Sequence, residues 1–314
     1  GAGLTGIGTG ALADSSVTTA KIADGTIAAA DLSSTVLSNT FWRLGGNAGT
    51  PAGTHYLGTA DNQPLELRVN KSRGFRLEPT ATSGAVNVIG GSEANATGPD
   101  LAGVTIAGGG TKDYLGRIYP NYAGADYVTV GGGAGNTNLG SEGTIGGGFR
   151  NTIGSVAPDS TISGGSQNTI QGYVYYGSIA GGTDNLIQEY AQSAAIGGGQ
   201  ENEIRTNSPA ATIAGGHLNA IEHASSATIG GGSLNSILSD ANSATIAGGT
   251  MNIVGTNCDS SVISGGYANK IAANSWTATI AGGYFNDVGA NAAYGAIGGG
   301  FDNTIATNAQ YATI

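Results

Sequence analysis

The side chains able to do chemistry are few. The 314 residues include 21 Asp and Glu, three His (His55, His217, His223) and one Cys, Cys258. A lone cysteine offers no intrachain disulfide and no cysteine-based zinc site, and three scattered His suggest no metal centre. Gly146-Gly147-Gly148 and Gly230-Gly231-Gly232 resemble phosphate loops, yet no Lys-Ser/Thr follows them and the phrase recurs along the chain. Gly-Gly-x-x-Asn also lacks the Asp of a calcium nonapeptide repeat. The serious catalytic option is cleavage of a glycosidic bond, which needs two carboxyl groups within ~5–9 Å. Asp184 and Glu201, seventeen residues apart, would supply them if neighbouring coils stack; Glu201 and Glu203 alternate along one stretch. The other acids stand singly in variable segments, as solvated charges do. The sequence therefore points to no enzyme, no cofactor and no metal.

What must position these residues is a repeat. Thr-Ile-x-Gly-Gly-x-x-Asn-x-Ile recurs at Thr144 to Ile153, Thr161 to Ile170 and Thr212 to Ile221. Its first apolar position falls at Ile89, Ile106, Val130, Ile145, Ile162, Ile179, Ile196, Ile213, Ile229, Ile246, Ile263, Ile280, Ile297 and Ile314. The steps are 17 residues, except 24 after Ile106, 15 after Val130 and 16 after Ile213. Helical repeats need ~33–47 residues, so 17 with paired Gly fits only short strands and turns. A second apolar column, Ile153, Ile170, Ile187, Ile204, Ile221, Ile237, Val254, Ile271, Val288 and Ile305, halves each repeat. Two such columns describe a coil with a strand on each side and apolar side chains meeting inside. Parallel stacking at ~4.8 Å per coil would give a rod on the order of 60 Å long. The fold class expected is all-β, a parallel β-roll or β-solenoid of 17-residue coils.

The polar positions are equally regular. The paired Gly permit a sharp corner with positive φ. Six residues after the first column stands Asn, at Asn95, Asn136, Asn151, Asn168, Asn185, Asn202, Asn219, Asn235, Asn252, Asn269, Asn286 and Asn303. Only the long repeat departs, with Lys112. Asn tolerates the left-handed region and can bond to coils above and below, so a structural ladder is expected here.

Charge and surface pattern limit the partners. The net charge is −10, the wrong sign for a nucleic-acid binder, and no apolar run reaches the ~20 residues of a membrane span. Residues flanking the first column are Thr, Ser, Ala or Val before it and Gly, Ala or Ser after it, from Val88 to Thr313. A stripe without charge suits close approach of an identical rod, since solvated surfaces carry ~25–35% charged residues. A second inward wall within one coil is the alternative.

With these residues in view, the stretch 85–314 resembles the head repeats of trimeric autotransporter adhesins, the YadA-like heads, as in Ala211-Thr212-Ile213-Ala214-Gly215-Gly216. The resemblance implies a left-handed parallel β-roll, three chains about one axis, and surface attachment; the 17-residue period and double Gly depart from the usual head repeat. Residues 1–40 are similar to thin phage tail-fibre stalks, because Val17, Ala20 and Ile22 recur ten residues later as Ile27, Ala30 and Leu32. Residues 41–84 look like a fibre connector. There Phe41, Trp42 and Leu44 precede Leu65-Glu66-Leu67-Arg68-Val69 and Phe75-Arg76-Leu77-Glu78, strands about a turn at 70–74. Trp42 reads as a connector core residue, beside Phe41 and Leu44, with a glycan platform as the alternative.

The expected protein is a non-enzymatic, extracellular fibre or adhesin head on a cell surface or virion. It would be homotrimeric, binding a cell-surface glycan or protein receptor by avidity, with no nucleic acid and no membrane insertion. The rival readings are a purely structural filament or tail-fibre subunit, a polysaccharide depolymerase, and an ice-binding solenoid. The Thr column is interrupted at Ser178, Ala195, Val262 and Ala296, which counts against ordered ice. Ligand contacts are expected where the repeats vary: at Tyr114, Tyr119, Tyr122 and Tyr127 of the insertion, and at Tyr267, Trp276 and Tyr284. Tyr173, Tyr175, Tyr176, Tyr190, Tyr294, Tyr311, His217, Phe285 and Phe301 occupy similar variable turns.

Overall fold

The computed structural model describes residues 46–80 and 83–314, together with 17, 18, 20, 22, 23, 25–33 and 36. The chain divides into two compact units, Gly1–Thr59 and Ala60–Ile314. The described part of the first unit contains one 3-10 turn, Ala29–Asp31. Val17, Ile22 and Ile27 of its decads are exposed. Phe41, Trp42 and Leu44 lie outside the described residues.

The second unit begins with a hairpin, Leu65–Val69 and Ser72–Glu78. Its turn is tighter than the sequence suggested: Val69 pairs with Ser72 and Arg68 with Arg73, so residues 72–74 belong to the second strand. Asn70 and Lys71 alone make the turn, at φ 48° and 68°, the double positive φ that matches strand twist in two-residue hairpins. Ser72–Glu78 then pairs antiparallel with Asn87–Gly90, which brings the hairpin into the sheet that follows.

From Asn87–Gly90 onward the chain is a parallel β-solenoid. The β-branched Thr-Ile pairs stack in register, Thr144 on Thr161 and Ile145 on Ile162. The second half stacks likewise, Thr152 on Thr169 and Ile153 on Ile170. Among the described residues this produces a 15-stranded and a 13-stranded sheet, facing each other across every coil. Each strand is mostly two residues long, so its backbone bonds run to neighbouring coils: Thr144 N–H to Ser160 O and Gly146 N–H to Ile162 O, both 2.9 Å. A third line of parallel bridges joins the first turns, from Ala134 and Phe149 through to Phe301.

Both columns are buried except at Ile314, which is exposed; the residues from Ile145 to Ile305 form one core, with a smaller cluster from Ile89 to Val130. Two further inward columns, of small residues, close the second turn over the Ile. One is Ala157, Val174, Ala191, Ser208, Ala224, Ala241, Cys258, Ser275 and Ala292; the other includes Ser160, Ala194, Ala211, Ala227, Ala244, Ser261 and Ala278. Where Ser replaces Ala it is satisfied by the stack: Ser160 Oγ donates to Val174 O at 3.0 Å and accepts from Gly177 N–H at 3.1 Å.

The turns hold a conformation that the sequence did not show. Each coil from Ile145 onward bears three non-Gly residues at positive φ, for example Glu201 (54°), Asn207 (56°) and Ala210 (56°). From Asn136 onward the residue before each ladder Asn, not the Asn itself, occupies the left-handed region. Such residues cost ~1–2 kcal/mol apiece and persist only where surrounding contacts fix them. Both paired Gly stand at positive φ in the coil of Gly198 (139°) and Gly199, and at the second there is also no room for a side chain. At Gly199, φ 89°, a Cβ would lie 2.1 Å from Gly216 O.

The insertion is a hairpin, Thr111–Tyr114 with Arg117–Tyr119, projecting from a first turn. It does not break the Asn column at Lys112. After the hairpin, Asn121 takes the ladder position: its Oδ1 accepts from Asn136 N–H at 3.1 Å, and Asn95 Oδ1 accepts from Asn121 N–H at 2.9 Å.

Candidate functional site

The outward faces of the two sheets differ in kind. In the first sheet the outward residues are half-buried Thr144, Thr161, Ser178, Ala195, Thr212, Thr228, Thr245 and Val262, with exposed Gly146, Ser163, Ala180, Gly197 and Ala214 beside them. This face does not point into the coil, so it is not a second inner wall. In the second sheet the same outward position admits Leu186, Glu203, Ile253, Lys270 and Asp287. Charge enters one broad face and is missing from the other.

Behind both faces runs the amide ladder. Asn202 is fully buried; its Nδ2 donates to Asn185 Oδ1 (3.1 Å), Gly198 O (3.0 Å) and Gly216 O (2.9 Å). Its Oδ1 accepts from the N–H and Nδ2 of Asn219 at 3.1 and 3.0 Å. The same contacts link Asn151, Asn168, Asn185, Asn219, Asn235, Asn252, Asn269, Asn286 and Asn303. From Asn168 to Asn286 each amide thus bonds its own Gly corner and the coils on both sides, with neither nitrogen nor oxygen left over.

Aromatic side chains collect on two separate corners. The first turn points one residue per coil outward, so Tyr267 and Tyr284 come to stack at 5.2 Å and 23°. Phe285, next to Tyr284 and at φ 56°, lies edge-on to Tyr267 (5.5 Å) and to Phe301 (6.2 Å). Tyr284 is 53% and Phe301 70% exposed, enough to present their rings to a partner. Trp276 belongs to the second turn, where it meets Tyr294 at 4.7 Å; Tyr294 stacks on Tyr311 at 4.8 Å. Of the three residues expected here, Tyr267 and Tyr284 come together and Trp276 stands apart.

The insertion tyrosines are also divided. Tyr119 and Tyr122 line an open cleft of about 520 Å³ with Arg117 and Arg150, and Tyr119 packs edge-on to Phe149 at 5.1 Å. Tyr114 is exposed at the end of the hairpin's first strand. Tyr127 sits on a second turn at φ 56°, close over Gly103. An ion pair between Lys112 and Glu93 ties the hairpin to the preceding coil and holds the Glu93 carboxyl below its usual range.

The carboxylates considered for glycoside cleavage are held by amides and a guanidinium. Gln167 Nε2 donates to Asp184 Oδ1 at 2.6 Å, and Gln200 Nε2 to Glu201 Oε1 at 2.8 Å. Glu203 accepts from Gln188 Nε2 (2.6 Å) and Arg205 Nε (2.9 Å). Among the described residues no group of three or more His, Cys, Asp and Glu could hold a metal ion. Cys258 is buried in the small-residue column, and burial pushes its thiol pKa up. No helix among the described residues is long and apolar enough to cross a membrane.

The chain matches no protein-family model and no curated protein. What geometry offers is a repetitive structural solenoid with one bare face, two aromatic corners and a projecting hairpin.

The sequence missed one feature of the second turns, a notch beside His223. Its only signal was the single 16-residue step between Ile213 and Ile229.

Proposed function

We propose that the chain is a structural fibre segment, in which β-solenoids dock side by side through the bare face of the first sheet, three to a fibre, outside the cell. The observation carrying this reading is the contrast between the two outward faces. One face keeps only small, uncharged side chains from Val88 to Ala296, whereas the other accepts Glu203, Lys270 and Asp287 under the same strand geometry. Strand propensity alone would tolerate charge on both. Exclusion from one face is what a surface covered by another chain requires, since an unpaired charge buried there would be costly. The similarity of the repeats to YadA-like heads, and of the first 40 residues to tail-fibre stalks, supports three chains.

Sedimentation equilibrium of the full chain tests this. The expected mass is three chains, unchanged by dilution, and Thr212→Lys with Thr245→Lys lowers it while circular dichroism stays β-rich. A monomer at every concentration, or a trimer indifferent to both lysines, overturns the proposal.

Attachment is the second reading, favoured by the exposed aromatic groups Tyr267, Tyr284, Phe285 and Phe301. Rings exposed on a rigid rod suit weak contacts multiplied by the number of chains.

A further inference from the structure

The second turns form a regular stack except at one place. Between a second-column Ile and the first left-handed residue of the turn there are normally two residues, as Arg205 and Thr206 precede Asn207. After Ile221 only Glu222 precedes His223. The turn is one residue short, and the stack is notched there. The N–H of Asn207 bonds Glu189 O (3.2 Å) and that of Asn257 bonds Ser239 O (2.9 Å). Among the described residues the N–H groups of Tyr190 and His223 have no such partner.

At the notch lies an open cleft of about 670 Å³, lined by Tyr190, Gln192, Asn207, His223, Asp240 and Asn242, with Pro209 and Ser225 also in its lining. Its residues come from four successive turns, a span of roughly 14 Å at the ~4.8 Å strand spacing. Tyr190 stacks on Tyr173 at 5.3 Å and 16°, so one ring face is covered, and its ring lines the cleft together with Asn207. Asn242 Oδ1 accepts from Ser225 N–H at 2.9 Å, and its NH₂ makes no hydrogen bond among the described residues. The side chains of Gln192, Asn207, His223 and Asp240 make no hydrogen bond among the described residues. No Lys or Arg lines the cleft; Arg205, two residues before Asn207 on the same turn, is held by Glu203 and Glu222.

An aromatic face beside carboxamides, an imidazole and one carboxylate is a surface for a hydroxyl-rich ring. The ring's C–H face stacks on the aromatic, and its hydroxyls bond the amides and the carboxylate. The missing cations disfavour an anionic ligand, because Asp240 would repel it without compensation. We propose that this notch binds a neutral oligosaccharide of about three pyranose units, with Tyr190 as the stacking platform and Asn207, Asp240 and Asn242 as the hydroxyl partners. The site is built within one chain, so it stands whether or not chains associate.

Saturation-transfer NMR and titration calorimetry on the full chain, with maltohexaose, cellohexaose, chitohexaose and a polysialic acid oligomer as probes, test it. At least one neutral hexamer gives transfer, and Tyr190→Ala and Asn207→Ala each weaken its binding about tenfold or more. Inserting Asn between Glu222 and His223, which restores the 17-residue step, abolishes the binding while sedimentation mass and circular dichroism stay unchanged. Should the insertion disturb the fold, the two exposed single variants decide alone. Silence of all three neutral probes, binding that survives Tyr190→Ala, or equal binding of polysialic acid overturns the assignment.

Discussion

Asn202→Ala should loosen the solenoid locally and by a calculable amount. The substitution deletes five hydrogen bonds: three from Nδ2, to Asn185 Oδ1, Gly198 O and Gly216 O, and two accepted by Oδ1 from Asn219. Gly198 and Gly216 lie at a partly exposed corner where water can take over their carbonyls. Asn219 is fully buried, so its backbone N–H loses its acceptor, which costs ~1–3 kcal/mol. The two amide–amide contacts contribute about 1 kcal/mol each in net terms, giving a total of ~3–5 kcal/mol. Repeat arrays unfold piecewise, so a single denaturation midpoint would blur this effect. Amide hydrogen exchange resolves it. Protection in the strands Glu203–Ile204 and Ala220–Ile221 should fall between about a hundredfold and a few thousandfold, since 1.4 kcal/mol is tenfold. Strands beyond Lys270–Ile271 should be untouched, because each coil touches only its neighbours. Gln200→Ala, an exposed change on the same turn, should alter protection by no more than ~0.5 kcal/mol. A fall below about tenfold in Asn202→Ala, or an equal fall in Gln200→Ala, would refute the ladder's energetic role.

Three other outcomes follow from the same geometry. Gly199→Ala places a Cβ 2.1 Å from Gly216 O and 2.7 Å from Asn202 Nδ2, so exchange protection of both adjoining coils should collapse. Leu218→Asn relieves a bulky exposed residue at φ 56° and should raise local protection by up to ~1 kcal/mol; a loss of protection would show that Leu218 packs usefully. Cys258, whose thiol is raised by burial, should resist a disulfide reagent in the native state and react fully in denaturant. Because its folded pKa lies above the unfolded one, its contribution is complete below the unfolded value of ~8.5 and declines as pH rises beyond it. Cys258→Ala should remove that alkaline part of the stability profile, and an unchanged profile would count against it.

The fold was legible because large residues advertise their positions. Ile145 and Ile153 mark the two sheets by spacing alone, and no helix of that period could bury both. Ala157 and Ser160 are equally buried but were invisible, since small residues are common at the surface as well. The left-handed residues were hidden for another reason. Arg150, Gln167, Asp184 and Leu218 share no side-chain chemistry, because hydrogen bonds between turns impose their conformation. Among the surfaces, the bare face showed in the sequence as an absence of charge. The aromatic corners were only half legible: Tyr267 and Tyr284 share a column, while Trp276 belongs to another turn with Tyr294. The notch could be sensed only as one residue missing from the count.

The projecting hairpin has a consequence for how such a chain can change. Thr111–Tyr119 leaves the coil where the first turn begins, and Asn121 returns the backbone to the position that Asn95 and Asn136 hold on either side. At this junction the scaffold sets a re-entry condition on what is spliced in. Another loop should be accepted at that junction, provided an asparagine hands the strand back to the stack, which makes this first turn of the solenoid a potential graft point.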